Sequence, residues 1–401
     1  MKNEYIKKIK GLELLKKMIK ILNKLLDVIF NINVRIVLFY FNLFKNKRKN
    51  KFSEGSGVMA LPYYSENYAG GHTRIADWKN YFDKSKIRFD VYWASESDFF
   101  IDSFYSKNPL KRYHFFFHVF RRRIQMIKKL HEYEVIWIQR AFIPFYPFKK
   151  DKFEKLVMSI NPNVVIDFYD ADYESNYSLT INAAISAAKV TVASNYLYDY
   201  FKKINPETYY LPFAINHEDY ITKNYISKKE IIIGWMGSPT NFKNIINIES
   251  ALEEVERLNP NVSFVFICRD SFKMKLKRVK FMSWGDEGFD YHETISSFDI
   301  GLAPMMDPSE RNRAKTAFKS LEYMSSGLAF VSSPWGIPNY LVHNENVLFA
   351  EDLTDWAKQL SVLIKDKQLR KKIGNNGHDV IVKHFSYSNV FINLKKILIN
   401  K

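Results

Sequence analysis

The sequence predicts an α/β chain of two domains, each a parallel sheet covered by helices, behind a basic amphipathic N-terminal helical extension. Three observations carry this reading. Short β-rich runs such as VIWIQ and VVIDF alternate with helical patterns, the mark of strand–helix–strand units. A length of 401 residues exceeds the usual single domain, and 47% apolar content supplies two cores. The formal charge of +17 is uneven: residues 1–55 hold fourteen Lys and Arg against Glu4, Glu13, Asp27 and Glu54. The expected divisions are a basic segment, 1–55, a first domain, 56–224, a second domain, 225–384, and a tail, 385–401, that crosses back to the first domain. One cysteine, Cys268, excludes an internal disulfide, and the long lysine-rich start does not read as a cleavable signal; a cytoplasmic location is expected.

In the first segment, Leu12, Leu15, Ile19, Leu22, Leu26 and Ile29 recur at helical spacing, with Lys16, Lys20, Lys24 and Asp27 opposite. The apolar run 34–44 follows and closes on Lys45, Lys47, Arg48, Lys49 and Lys51, a cluster suited to anionic headgroups. Attachment to an anionic membrane surface is the favoured reading, ahead of packing on the protein's own core. A single span over 25–44 is long enough, but Arg35 at its middle costs about 2.5–3.5 kcal/mol.

Residues 57–63 read as the first strand of the first domain. Gly70 and Gly71 follow in the loop before a helix starting near Thr73, where backbone amides and the helix dipole favour an anion; a purely structural turn fits equally. Further strands are expected at 89–93, 135–139, 164–168 and 190–193, with helices at 121–132 and 197–204. Arg74 adds a charge-assisted contact to that glycine turn, and because ligands of parallel sheets collect beyond the strands' carboxyl ends, Arg140 and Asp167, Asp170 and Asp172 are singled out as well. The acidic trio reads as a carboxylate shaping an acceptor pocket, or a helix cap, ahead of a metal site, because no compact set of further ligands adjoins it.

A lysine-bearing linker, 221–230, leads to the second domain. Strand 231–235 turns at Gly237-Ser238-Pro239-Thr240-Asn241 into a helix that continues to about 258, with Lys243 beside the turn: a phosphate-site layout without the dinucleotide fingerprint. Strands at 262–268, 279–282 and 299–304 follow. The stretch RAKTAFKSLEYMSSGLAFVSSP, 313–334, then reads as one helix ended by Gly327 and a short buried strand. Lys315, Lys319 and Glu322 share one helical face at i, i+4, i+7, while Phe318, Leu321 and Met324 share another. Three charges on one face usually mean solvent. Beside a second strand–helix turn carrying Lys243, they point to phosphate instead.

These runs, IIIGWMGSPTNFKNI, FMSWGDEGFDYHETISSFDIGLAPM and RAKTAFKSLEYMSSGLAFVSSPWG, resemble the C-terminal domain of GT-B glycosyltransferases of the group 1, or family 4, type over residues 231–390. The first domain resembles the family more loosely, and residues 1–55 lie outside it. The resemblance implies a GT-B architecture, two Rossmann-like domains facing a cleft, and a metal-independent, retaining hexosyltransferase. Its nucleotide-sugar donor is a substrate, and no cofactor is implied. Lys243, Arg313, Lys315 and Lys319 are the candidate cations for the leaving diphosphate, with Lys319, Arg313 and His72 placed as catalytic. Gly237, Lys243, Arg269, Lys315 and Glu322 are placed on the donor, Glu322 at its ribose; Trp284 is placed either at the base or in the core. Gly70, Gly71, Arg74, Arg140 and Asp170 are placed on the acceptor side. One departure is noted: the residue eight before Glu322, a glutamate in many members, is Ala314.

The expected partners are a nucleotide-sugar, a lipid-linked or glycan acceptor and an anionic membrane surface, with no nucleic acid, in surface polysaccharide biosynthesis. A catalytically silent scaffold of the same fold is the alternative, motivated by Ala314.

Overall fold

The computed structural model describes residues 2–44, 57–106, 108–145, 150–226 and 229–399. The first sheet has the order β2-β1-β3-β4-β5-β6, built from β1 (Val58–Leu61), β2 (Phe89–Val91), β3 (Val135–Gln139), β4 (Val164–Phe168), β5 (Lys189–Val192) and β6 (Thr208–Tyr210). The second has the order β12-β11-β10-β7-β8-β9, from β7 (Ile231–Met236), β8 (Val262–Ile267), β9 (Val279–Met282), β10 (Ile300–Ala303), β11 (Phe330–Ser332) and β12 (Leu348–Phe349). All neighbouring pairs are parallel. Helices cover both faces of such sheets, which is why VIWIQ and VVIDF are apolar apart from Gln139 and Asp167 and are buried throughout. β6 and β12 were not anticipated; three and two residues are too short for a periodic signal.

The N-terminal segment departs most from expectation. It is one continuous helix, α1 (Lys2–Phe44), not an amphipathic helix followed by a separate run. No Gly or Pro interrupts residues 12–44, so nothing in the chain stops the helix. Nor does α1 stand apart from the first domain. Phe30, Val34 and Phe41 are buried, and the Phe30 ring meets Phe117 and Phe120 of α2 (Pro109–Ile127) at 5.0 and 5.2 Å. Burying a side chain of this size contributes about 1.5–3 kcal/mol, so α1 helps hold the domain it adjoins. Asp27 accepts a hydrogen bond from the Tyr113 hydroxyl on the same side. Among the described residues no helix is long and apolar enough to cross a membrane. The lysine cluster 45–51 lies outside the described residues.

Two other segments bind the halves together. Lys223, inside the expected linker, is buried and pairs with Asp299 of the second domain at 3.0 Å. The tail forms the last helix, α6 (Tyr387–Ile399), and its Val390, Leu394, Ile397 and Leu398 pack with Val58, Ala60 and Trp137 of the first sheet.

Helix α3 (Lys152–Ile160) carries Glu154, which is buried and accepts the Phe142 amide at 3.0 Å. Burial raises its carboxyl to about 7. A raised carboxyl contributes stability that is fully present below its unfolded value and lost as pH climbs through about 7. Glu154→Gln keeps the acceptor oxygen without the charge. It is expected to be more stable than the parent by up to about 3 kcal/mol at pH 8 and no different near pH 4, by thermal denaturation across pH. A gain that does not depend on pH would contradict the assignment.

Candidate functional site

A cavity of about 340 Å³ lies between the domains, at the carboxyl ends of both sheets. Gly70, Thr73, Tyr169, Asp170 and Phe213 line it from the first domain, and Trp235, Asn241, Asn244, Lys315 and Lys319 from the second. A larger cavity, about 890 Å³, opens under α6 at the opposite ends of the first sheet's strands. Ligands of parallel sheets gather at the carboxyl ends, so the smaller, interdomain cavity is the better candidate. The approach of the two domains around it is fixed by Ser194 Oγ donating to the Ala314 carbonyl at 2.7 Å and Thr316 Oγ1 donating to the Ala193 carbonyl at 3.0 Å.

The central stretch does not form the single helix its spacing suggests. A short helix, α4 (Glu310–Ala314), ends at Lys315, whose backbone is extended, and α5 (Phe318–Ser325) starts afresh after Ala317. Lys315 therefore does not share a helical face with Lys319 and Glu322. The break has a physical reason: Thr316 and Ser194 draw this backbone against the first domain, a demand that periodicity does not register. Both lysines nevertheless reach the cavity, one from the connector and one from the first turn of α5.

Among the described residues neither lysine makes a hydrogen bond or salt bridge; Lys319 Nζ lies 5.7 Å from the centre of the Trp235 ring. Burial lowers both ammonium groups below the usual lysine range, opposed by Asp170 for Lys315 and by Glu322 for Lys319. A partly desolvated cation with an acid near it but no direct hydrogen bond or salt bridge gains from meeting an anion. The pair is thus suited to a phosphate-bearing ligand.

Glu322 sits behind this pair and does not line the cavity. Its Oε1 accepts the Tyr291 hydroxyl at 2.6 Å and the Tyr220 hydroxyl at 3.3 Å. Burial raises its carboxyl to about 7. Gly237 supports the arrangement by its smallness: a Cβ there would lie 2.5 Å from the Trp235 ring and 3.2 Å from Lys319 Cε.

On the first-domain side, Gly70 and Asp170 line the cavity. Arg140 stands behind Asp170, with Nε 2.7 and 2.9 Å from the Asp172 oxygens and Nη2 3.2 Å from Asp170. Its φ of 65° is uncommon for a residue with a side chain, and the ion pairs hold it there. Burial raises the Asp170 carboxyl above its usual range against the pull of Arg140. Arg74, expected on the acceptor side, does not line the cavity. It is buried, bonds Asp167 through Nε and Nη2 at 2.6–3.1 Å, and caps the Leu211 and Pro212 carbonyls. The acidic trio is accordingly divided between Arg74 and Arg140, and among the described residues no group of three His, Cys, Asp or Glu is arranged around a metal.

Other candidates lie off the cavity. His72 pairs with Asp77 at 3.2 Å and faces Trp93, whose ring would meet a Cβ on Gly71 at 2.7 Å. Arg313 lies over Trp335 in a separate recess of about 280 Å³. Arg269 is 75% exposed beside Asp270, and Lys243 is exposed while its neighbours Asn241 and Asn244 line the cavity. Trp284 is 46% exposed and so is not core. Ala314, by contrast, is fully buried in the first domain's core, at the end of a different helix from Glu322. Sequence reasoning missed Tyr169, Phe213 and Trp235 as lining and Tyr220 and Tyr291 as partners of Glu322. Only the position of Trp235, two residues before Gly237, offered a signal.

Residues 248–396 match a family model described as glycosyl transferase-like. The fold over most of the chain is similar to that of several solved structures. HepE from Anabaena, in complex with UDP-glucose, is 15% identical with a TM-score of 0.62, over 85% of this chain and 99% of its own. A glycosyltransferase from Rickettsia africae is 13% identical with a TM-score of 0.62, over 87% and 100%. Sucrose-phosphate synthase from Thermosynechococcus elongatus is 12% identical with a TM-score of 0.61, over 85% and 98%. A search of curated proteins finds no match. The architecture is GT-B, two parallel-sheet domains facing a cleft, as the resemblance implied.

Proposed function

We propose, for a GT-B chain whose second domain is glycosyl transferase-like, that it moves a hexosyl group from a nucleotide-sugar to a lipid-linked or glycan acceptor with retention of configuration. The single observation that carries this is the Lys315–Lys319 pair, two partly desolvated ammonium groups in the interdomain cavity that have no hydrogen-bonding partner among the described residues. As the bond from the anomeric carbon to the leaving phosphate breaks, negative charge gathers on the diphosphate. Fixed cations already partly stripped of water stabilise that charge more than the ground state. Protein cations are assigned this task in place of a metal. Glu322 is assigned to the ribose, reached when the ligand competes with Tyr220 and Tyr291 for its oxygens. Asp170, held by Arg140, orients the acceptor hydroxyl from the opposite wall. The reading extends to a cytoplasmic enzyme resting peripherally on the membrane in surface polysaccharide synthesis.

UDP-, GDP- and other nucleotide-sugars, offered with membrane lipid extract or glycan, are expected to release nucleoside diphosphate, and the product's anomeric configuration is expected to match the donor's. The diphosphate released from the preferred donor, present at a hundred times its Kd, is expected to stabilise the fold by about 2.7 kcal/mol. Diphosphate binding without turnover of any donor would favour a silent scaffold; neither binding nor turnover would sink both.

A further inference from the structure

We infer that the outward face of α1 is a docking surface for an anionic lipid bilayer, and that its inward face makes the docking orient the first domain. This rests on the membrane-proximal part of the reading above and adds the surface itself. Ile21, Leu25, Val28, Ile32, Ile36 and Phe39 are each more than half exposed, between 51% and 67%. At ~100° per residue they fall within an arc of about 80°. Buried Phe30, Val34 and Phe41 lie on the opposite side, about 180° away. The stripe from Ile21 to Phe39 is about 27 Å long at 1.5 Å per residue, far beyond a scatter of single exposed apolar residues.

Charge decides between occupants. Exposed Lys17, Lys20, Lys24 and Arg35 border the stripe along one side. The sole carboxylate of residues 17–44, Asp27, lies toward the domain and is bonded to Tyr113. A second copy of residues 17–44 brings no acid to the basic row beyond Asp27, already bonded to Tyr113, whereas an anionic headgroup layer meets the row and the stripe together. Because Phe30, Val34 and Phe41 fix α1 to the domain, a helix lying in the interface fixes the domain's attitude as well. Deleting α1 is a poor test, since it also strips Phe117 and Phe120 of their cover.

The full chain is expected to sediment with vesicles of phosphatidylcholine and phosphatidylglycerol, less so at high salt, and not with phosphatidylcholine alone. The exposed double variant Ile21→Glu/Ile36→Glu is expected to bind the anionic vesicles at least about tenfold more weakly, with melting temperature and response to nucleoside diphosphate unchanged. Undiminished vesicle binding by the variant overturns the inference. So does a parent dimer, seen by light scattering, that the variant dissolves, since the stripe then belongs to a second copy. A parent that binds vesicles but gives no diphosphate response keeps the docking surface and counts against the transferase reading instead.

Discussion

Lys319→Ala is expected to lower donor turnover by about 10²–10³-fold while leaving the unliganded protein as stable as the parent, or more so. The two halves of this expectation come from one fact. Burial lowers the Lys319 ammonium below the lysine range against the pull of Glu322, and among the described residues no hydrogen bond or salt bridge compensates it. Such a group costs the empty fold something and repays it only when an anion arrives. Removing it takes away a desolvated charge and the stabilisation of the leaving diphosphate together. The checks are nucleoside diphosphate release under saturating donor and a thermal melt without ligand. A variant that turns over normally has no diphosphate on Lys319; one that melts far below the parent has lost a structural residue.

Arg74→Ala is expected to do the reverse, costing about 3–5 kcal/mol of stability and lowering the melting temperature by about 10 °C or more. Arg74 and Asp167 are among the buried charges of the first domain, and the guanidinium also caps the carbonyls of Leu211 and Pro212. Truncation leaves Asp167 in the centre of a parallel sheet with Thr191 Oγ1 as its remaining donor, at 2.6 Å. Asp170→Ala, at the cavity wall, is the matched comparison and is expected to spare the melt while affecting acceptor use. If Arg74→Ala melts normally and instead raises the acceptor KM, Arg74 belongs to the acceptor site after all.

These two arginine and lysine cases mark how far local pattern reaches. Arg74 follows a Gly-Gly pair that was expected as a loop and folds as a short helical turn, Ala69–His72; at such a place a ligand contact and a structural contact share the same local sequence. What separates them is Asp167, ninety-three residues away, and no spacing rule connects the two. Lys319 was legible because its setting is local: a helix start beyond a buried strand, near a glycine turn. Lys315 reached the same cavity for a reason the sequence reading did not contain, since the helix thought to carry it is broken where the backbone is drawn against Ser194 and Ala193.

The N-terminal helix divides in the same way. Apolar and basic residues recur along residues 12–44, and from Lys17 to Phe41 the folded chain sorts them into a buried face, a basic border and an exposed stripe, Ile21 to Phe39, in a different register from the expected Leu12-to-Ile29 face. Periodicity does not say which apolar face meets protein, because Phe30 and Phe39 look alike until the rings of Phe117 and Phe120 cover one of them.

By itself the sequence determined two parallel sheets, their order in the chain, the basic helix and the lysines near the cleft, because strand and helix periods, turn residues and charge runs act over a few positions. Tertiary structure alone decided that Arg74 is buried, that Glu322 is held by Tyr220 and Tyr291, and that α1 spends one face on its own domain. Each of these turns on a partner far along the chain, and long-range pairing is set by packing and desolvation, which no local pattern encodes.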